Sequence, residues 1–355
     1  MALKMTDEEL YRALRKLRAE SRQLITVSNR EWYSLFRDEI RNSIAIEGVF
    51  ANRNELLDVL ERHKRTNTQK TAAILGYFEA ASTLYEYANN LYKTGEFSLR
   101  VSDIKQIHTL LMRYEKDIGT FTGELGEFRK EDVEVTESGF TPLKGLFVEE
   151  TMRVFVQWIN DQLTASKTDP IYLAAASHVL FETIHPFRDG NGRVGRILMN
   201  FLLIGMGLIN IAIKGTTREH RNAYYQALEV GDDKFNEMLR KIEAGAKPTI
   251  TLIEHYANIS HLERMKKLIR VELQEAFQRL KGRTGIVFQP DALLPLREIA
   301  RYYNYSQDYL RNLINKGKLR GEKRGKLWYI RIRDMEQYLQ KMNSEQPNAT
   351  GNNGN

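Results

Sequence analysis

The chain has 355 residues, 42% of them hydrophobic, a length that accommodates two domains and lets the larger bury a core without disulfide or metal staples. It contains no cysteine, which excludes thiol catalysis and cysteine-ligated zinc and fits a reducing, cytoplasmic setting. The net charge of +7 is concentrated between Arg283 and Met342, where 13 basic side chains face 6 acidic ones, so a polyanion partner is expected for the C-terminal part alone.

The opening MALKMTDEEL is polar and lacks an apolar signal region, which predicts a mature cytoplasmic chain. Thr6 and Glu9 have the spacing of a capping box and start a first helix. Glu31 to Ile46, EWYSLFRDEIRNSIAI, has the apolar spacing of an amphipathic helix that stops at Gly48. Helices follow over Asn67 to Tyr92 and Ser98 to Tyr114. From Gly119 to Gly145 the texture changes to five glycines, one proline and the alternating DVEVTESGF, which predicts a short β-hairpin turning near Ser138-Gly139. Helices resume at Phe147 to Leu163 and Ile171 to Ile184. The apolar run Ile197 to Ile213 holds two asparagines and two glycines and reads as a buried helix with its turn, not a membrane span. Further helices reach about Leu280, Gly282 to Pro290 is a linker, and the final SEQPNATGNNGN is too poor in apolar residues to fold.

The densest chemistry lies in HPFRDGNGRVGR, residues 185 to 196. Pro186 ends the preceding helix, and Gly190 and Gly192 let the backbone turn tightly and approach a ligand. The apolar pattern restarts at Val194, so the Gly-Asn-Gly turn falls at a helix N-terminus, an anion site. Arg193 and Arg196 add fixed charge suited to phosphate oxygens, and Asp189 is a hard oxygen ligand of the kind nucleotide-bound Mg2+ takes. His185 is a base that titrates near neutrality. His178, seven residues earlier, has spacing that suits packing rather than shared metal ligation.

This stretch resembles the Fic family signature HPFxDGNGRxxR at every fixed position, and the resemblance extends over roughly Ser98 to Gly231. It implies a mainly helical fold with a β-hairpin flap and transfer of AMP from ATP to a protein hydroxyl. His185 would deprotonate the target Ser, Thr or Tyr, and Asp189 would hold Mg2+ on the α- and β-phosphates. Gly190, Asn191 and Gly192 would line the anion hole, Arg193 would take the β-phosphate and Arg196 the γ-phosphate. Phe187 would anchor the loop in the core, and the hairpin near Val133 to Pro142 resembles the flap that aligns the target by strand pairing. Doc-type relatives, which phosphorylate, carry lysine where this chain has Gly192, so the glycine favours AMP transfer. Downstream, REHRNAYYQAL resembles the segment whose tyrosines border adenine, so Tyr224 or Tyr225 could stack on the base; a core role for both stays open.

Ser43 and Glu47 in SIAIEG are four apart and share a helix face. Spacing alone would read Glu47 as a solvated charge. The stretch is similar to the Fic inhibitory motif, a serine or threonine, three residues, glutamate, then glycine or asparagine. The resemblance implies that Glu47 pairs with Arg196 in the γ-phosphate's place.

Leu294 to Tyr338 resembles the winged helix-turn-helix of excisionase and MerR-type regulators, with helices over Leu296 to Tyr302 and Gln307 to Asn315, a hairpin over Leu319 to Ile332 and a last helix from Asp334. Gln307, Tyr309, Arg311 and Asn312 would face a groove, with Arg324 and Lys326 on the wing touching phosphates. A protein-binding role for this module stays open.

The expected organisation is an N-terminal helical region with the inhibitory motif (1–95), a Fic catalytic core (96–245), connecting helices (246–282), a winged helix-turn-helix (283–342) and a disordered tail (343–355). The expected activity is autoinhibited adenylyl transfer to a Ser, Thr or Tyr of a target protein or of the chain itself. The alternatives are a nucleotide-sensing DNA-binding regulator and an enzyme that removes AMP. ATP and Mg2+ are the expected ligands, and the partners are a target protein and DNA, with no membrane and with a homo-oligomer allowed.

Overall fold

The computed structural model describes residues 5–21, 23–133, 141–165, 168–284, 293–303, 305–325, 327–335 and 337–338. It divides into two compact units, Met1–Lys281 and Gly282–Asn355.

The first unit is helical. Helix α1 (Asp7–Glu20) starts at Thr6, whose hydroxyl accepts the Glu9 N–H while the Glu9 carboxylate accepts the Thr6 N–H, the capping box its sequence predicts. Helix α2 (Arg30–Ile46) is capped by Asn29 and ends on Glu47. Helix α3 (Arg53–Leu60) is not among the expected elements. The Asn52/Glu55 capping box that starts it was the available signal. There follow α4 (Gln69–Thr94), α5 (Val101–Asp117), α6 (Gly145–Thr164), α7 (Pro170–Ile184), α8 (Asn191–Gly205), α9 (Arg218–Glu243), α10 (Ile250–Ile259) and α11 (Glu263–Thr284). Helix α4 packs on α5 and α8, and α7 packs on α8 and α9. Helix α8 is buried nearly all round, as an apolar helix at the centre of a bundle must be. The α7–α8 loop, which carries the signature, is therefore rooted in the core at both ends.

Helix α2 is rooted as firmly. The buried Glu39 carboxylate accepts hydrogen bonds from Tyr77 Oη (2.8 Å), Tyr85 Oη (2.5 Å) and Asn210 Nδ2 (2.7 Å). Asn210 Oδ1 in turn accepts the Trp32 indole N–H at 2.6 Å. Burial raises the Glu39 pKa to about 7, with hydrogen bonding to Tyr85, Asn210, Tyr77 and Asn200 pulling the other way. This network ties α2 to α4 and to the chain after α8, and it fixes where α2 ends.

The expected hairpin turn at Ser138-Gly139 lies outside the described residues. On either side of it, Asp132 accepts the Gly145 N–H at 2.8 Å, and Arg240 of α9 donates to the Thr141 and Pro142 carbonyls. Among the described residues no helix is long and apolar enough to cross a membrane. The run Ile197 to Ile213 is α8 and its following turn.

The second unit is a three-stranded antiparallel sheet with helices. Strand β1 (Leu293–Pro295) leads into α12 (Leu296–Tyr303), α13 (Gln307–Asn315), β2 (Glu322–Arg324) and β3 (Leu327–Arg331). The sheet order is β1-β3-β2, with Leu294 opposite Ile330 and Lys323 opposite Trp328. Ser306 caps α13, accepting the Tyr309 N–H at 3.0 Å. Leu296, Ile299, Leu310, Leu313, Leu319, Ile330 and Met335 form the core. Two details differ from expectation. Strand β1 is extra, and at three residues it is too short to show an alternation. The last helix begins at Ile332 rather than Asp334.

Candidate active site

His185 closes α7 in the left-handed backbone region, φ 55° and ψ 61°. A non-glycine residue there costs about 1–3 kcal/mol, a strain usual at functional sites. Its Nδ1 lies 3.3 Å from the Glu182 carbonyl, which assigns the proton to Nδ1 and leaves the Nε2 lone pair to accept. Burial, helped by the positive charge of Arg129, pushes the imidazole pKa down to about 4, against the pull of the Glu182 carbonyl and the Glu47 and Asp189 carboxylates. At neutral pH His185 is an unprotonated base.

Phe187 is fully buried, worth about 1.5–3 kcal/mol of transfer energy. It stacks on His108 at 4.0 Å between ring centroids and leans on Phe128 and Phe181. The sequence setting of His108 gives no hint of this. Its Nδ1 accepts the Gly126 N–H, and burial lowers its pKa to about 4, so it serves as a neutral platform. The Asn191 side chain bonds both the N–H and the C=O of Phe187 at 2.8 Å, closing the loop on itself. Asn191 thus has only its main-chain N–H to offer a ligand.

Gly190 caps α8 with φ 78°, a conformation that favours glycine, and Asn191, Gly192 and Arg193 form the first turn. The first bond into α8 runs from Val194 N to Gly190 O at 2.9 Å, so the N–H groups before it are the outward-facing ones of a helix start. Asp189 is exposed beside them and its Oδ1 accepts the Gly190 N–H. Among the described residues no group of three acidic or histidine side chains gathers around a metal-sized point. A lone exposed carboxylate beside a helix N-terminus nonetheless fits Mg2+ carried by a phosphate ligand, since Mg2+ takes one or two carboxylates plus phosphate oxygens.

The two arginines meet different partners. Arg193 forms a buried ion pair with Glu115 of α5, a residue that sequence patterns leave unmarked. Arg196 donates through Nε to Ser43 Oγ (2.7 Å), through Nη2 to Ser43 O (3.1 Å) and Glu47 Oε1 (2.6 Å), and through Nη1 to Tyr224 Oη (3.2 Å). Both residues of the 43–48 stretch therefore reach it. A Cβ placed on Gly192 would lie 2.5 Å from Glu47 Oε1, so this carboxylate sits directly over the first turn of α8. Burial works to raise the Glu47 pKa, but Arg196 and Arg193 outweigh it and the net shift is downward. Glu182 also lies near Arg196. Burial lifts its pKa to about 8, so it is neutral at pH 7 and Glu47 is the anion that answers the guanidinium.

Tyr224 is 2% exposed and donates to His178 Nε2 at 2.9 Å while accepting from Arg196. His178, its pKa lowered to about 3 mainly by burial, is a packing residue. Tyr225 is 42% exposed, with its hydroxyl on the Ile46 carbonyl at 2.8 Å. Of the two tyrosines, Tyr225 presents a face to solvent and Tyr224 braces Arg196.

The Fic/DOC family model matches residues 98–203. The chain carries a Fic domain. It runs from just before α5 to near the end of α8, so it includes His185, Asp189 and both arginines, whereas Ser43, Glu47 and Tyr224 reach the site from outside it. A helix-turn-helix domain model matches residues 293–343. A probable protein adenylyltransferase of Aquifex aeolicus is 28% identical over 305 residues, 85% of this chain and 86% of that one. Protein adenylyltransferase fic-1 of Caenorhabditis elegans is 26% identical over 234 residues, and the match spans 43% of its length. A Fic domain containing signaling protein from Bacteroides thetaiotaomicron shares the fold, with a TM-score of 0.56 and 22% identity over 78% of this chain and 98% of that one.

In the second unit, Gln307, Arg311 and Asn312 are exposed on α13 and Arg324 on β2. Arg311 pairs with Asp308 and Arg324 with Glu322, each at 2.9 Å. Such surface pairs are worth about 0–1 kcal/mol and yield readily to a phosphate. Tyr309 is half-buried, stacked on Tyr305 and 3.3 Å from Tyr338 Oη, so it packs within the module. Lys326 lies outside the described residues.

Proposed function

We propose that this chain is an autoinhibited protein adenylyltransferase that uses ATP to modify a Ser, Thr or Tyr of a target protein or of itself. His185 Nε2 takes the hydroxyl proton as the oxygen attacks the α-phosphorus. A P–O bond to the target forms, the bond to the β-phosphate bridging oxygen breaks, and pyrophosphate leaves. The N–H groups of the first turn of α8 receive the phosphate oxygens, with Gly192 giving them close approach. Arg193 and Arg196 supply fixed positive charge for the β- and γ-phosphates. Asp189 would hold Mg2+, which neutralises phosphate charge when bound.

One observation carries the regulatory half of this reading: the Glu47 carboxylate lies on Arg196 and over Gly192, where a phosphate would otherwise go. With Glu47 there, an incoming triphosphate meets an anion and an occupied arginine, and the nucleotide binds out of line for attack. The test is mass spectrometry of the purified chain after incubation with ATP and Mg2+. The Glu47→Gly variant gains an AMP adduct, and wild type gains much less. An adduct equally abundant in both would reject the brake, and loss of a pre-installed adduct would point to AMP removal instead.

We further propose that the C-terminal module binds DNA through the exposed face of α13. The support is the helix-turn-helix match together with the exposed Gln307, Arg311 and Asn312 and the local basic excess. A gel shift with the full chain tests it.

A further inference from the structure

Arg129, from GELGEFR, is 4% exposed and directs its guanidinium at main-chain carbonyls from three separate stretches. Nε donates to His185 O at 2.7 Å, Nη2 to Ile184 O at 3.2 Å and to Leu143 O, and Nη1 to Glu131 O at 2.9 Å. The Arg129 main-chain N–H adds a bond to Pro186 O at 2.9 Å. Residues 184, 185 and 186 thus all deliver their carbonyls to this one arginine.

The chemistry of a helix end explains the arrangement. The last carbonyls of α7 have no partner within the helix and carry the negative end of its dipole, and a buried guanidinium answers both needs. Leu143 and Glu131 hold the other edges of the fork, so its plane is fixed from outside α7. This matters because His185 has the only left-handed non-glycine backbone besides His63 among the described residues. Without an outside constraint, a strained cap relaxes toward ordinary backbone angles, and the imidazole swings with it.

We propose that Arg129 is a positioning residue: its fork on the 184 and 185 carbonyls holds His185 in the left-handed cap that aims the imidazole at the phosphate site. Arg129 touches no reacting atom. Lysine at this position keeps the charge but loses the planar fork, so it reaches one or two of the four side-chain bonds. A misplacement of about 1 Å can cost on the order of 100-fold in rate.

The inference rests on the adenylyl-transfer reading, and the test separates the two. Arg129→Lys and Arg129→Gln are made in the full chain carrying Glu47→Gly. Self-labelling rate, ATP–Mg2+ affinity by calorimetry and melting temperature are measured for each. The expected result is a labelling rate reduced about 10- to 100-fold with ATP affinity within about 2-fold of the parent. Labelling at the parental rate overturns the proposal. So does a loss of ATP affinity or of folding in step with labelling, which would make Arg129 merely structural. Should the parent itself label nothing, adenylyl transfer falls, and a crystal structure of the Arg129→Lys chain still decides the positioning claim. A displaced His185 supports it, and a His185 unmoved from φ near 55° overturns it.

Discussion

Glu47 and Arg196 stand 149 positions apart in the chain and 2.6 Å apart in the fold. The arginine side chain is 3% exposed and held on three sides, whereas the glutamate side chain is 34% exposed at the end of α2. The Glu39 network anchors α2 in the core, so the helix end that carries Glu47 is held in place.

Removing that carboxylate is expected to raise AMP transfer. A charge-assisted hydrogen bond of this type is worth about 1.5–3 kcal/mol, or roughly a 10- to 100-fold gain in labelling for Glu47→Gly. Ser43→Ala leaves the ion pair in place and produces a gain of only a few-fold. Labelled ATP and gel autoradiography measure both, and a larger gain from Ser43→Ala than from Glu47→Gly would contradict the assignment.

The pH profile follows from the burial of His185. Its pKa is depressed from the ordinary histidine value of about 6.5 toward about 4 in the free enzyme. The base form therefore persists well below pH 6.5 and is lost as pH falls through the depressed value. The acid limb of kcat/KM for Glu47→Gly is expected below pH 6.5, and a midpoint at or above 6.5 would show that the imidazole is not held as described.

Glu115 is expected to matter for stability as much as for chemistry. Removing one partner of a buried ion pair costs about 3–5 kcal/mol, because the other charge is left without an answer. Glu115→Ala should lower the melting temperature by about 6–15 °C, and Glu115→Gln by less, as scanning calorimetry would show. An unchanged melting temperature would mean that Arg193 finds water or another partner at no cost.

Much of this was legible in the sequence. The signature loop and the Thr6/Glu9 capping box are contiguous, so their spacing predicts their geometry, whereas spacing alone would leave Glu47 solvated and only the family resemblance implies its pairing with Arg196. The contacts of Arg129, Glu115 and His108 are not contiguous. Arg129 binds carbonyls up to 57 residues away, and carbonyls leave no trace in a sequence pattern. His108 stacks on Phe187 because the fold brings α5 against the α7–α8 loop, which is distant in sequence. For Tyr224 the resemblance suggests a base-stacking surface and leaves a core role open; its side chain is buried and its hydroxyl accepts from Arg196.

For the C-terminal module, binding is expected to weaken steeply with salt. Arg324→Ala is expected to remove one phosphate contact and to reduce the slope of log K against log salt by about 1. Gel shifts across a salt series read this directly, and a complex indifferent to salt would favour a protein partner.

The most direct test of the central claim is which phosphorus of ATP ends up on protein. The Glu47→Gly chain, with and without His185→Ala, is incubated with Mg2+ and ATP labelled at either the α- or the γ-phosphate, and protein-bound label is counted. Label from the α-position only, abolished by His185→Ala, is the expected result. Label from the γ-position, or α-label that survives loss of the imidazole, would contradict it.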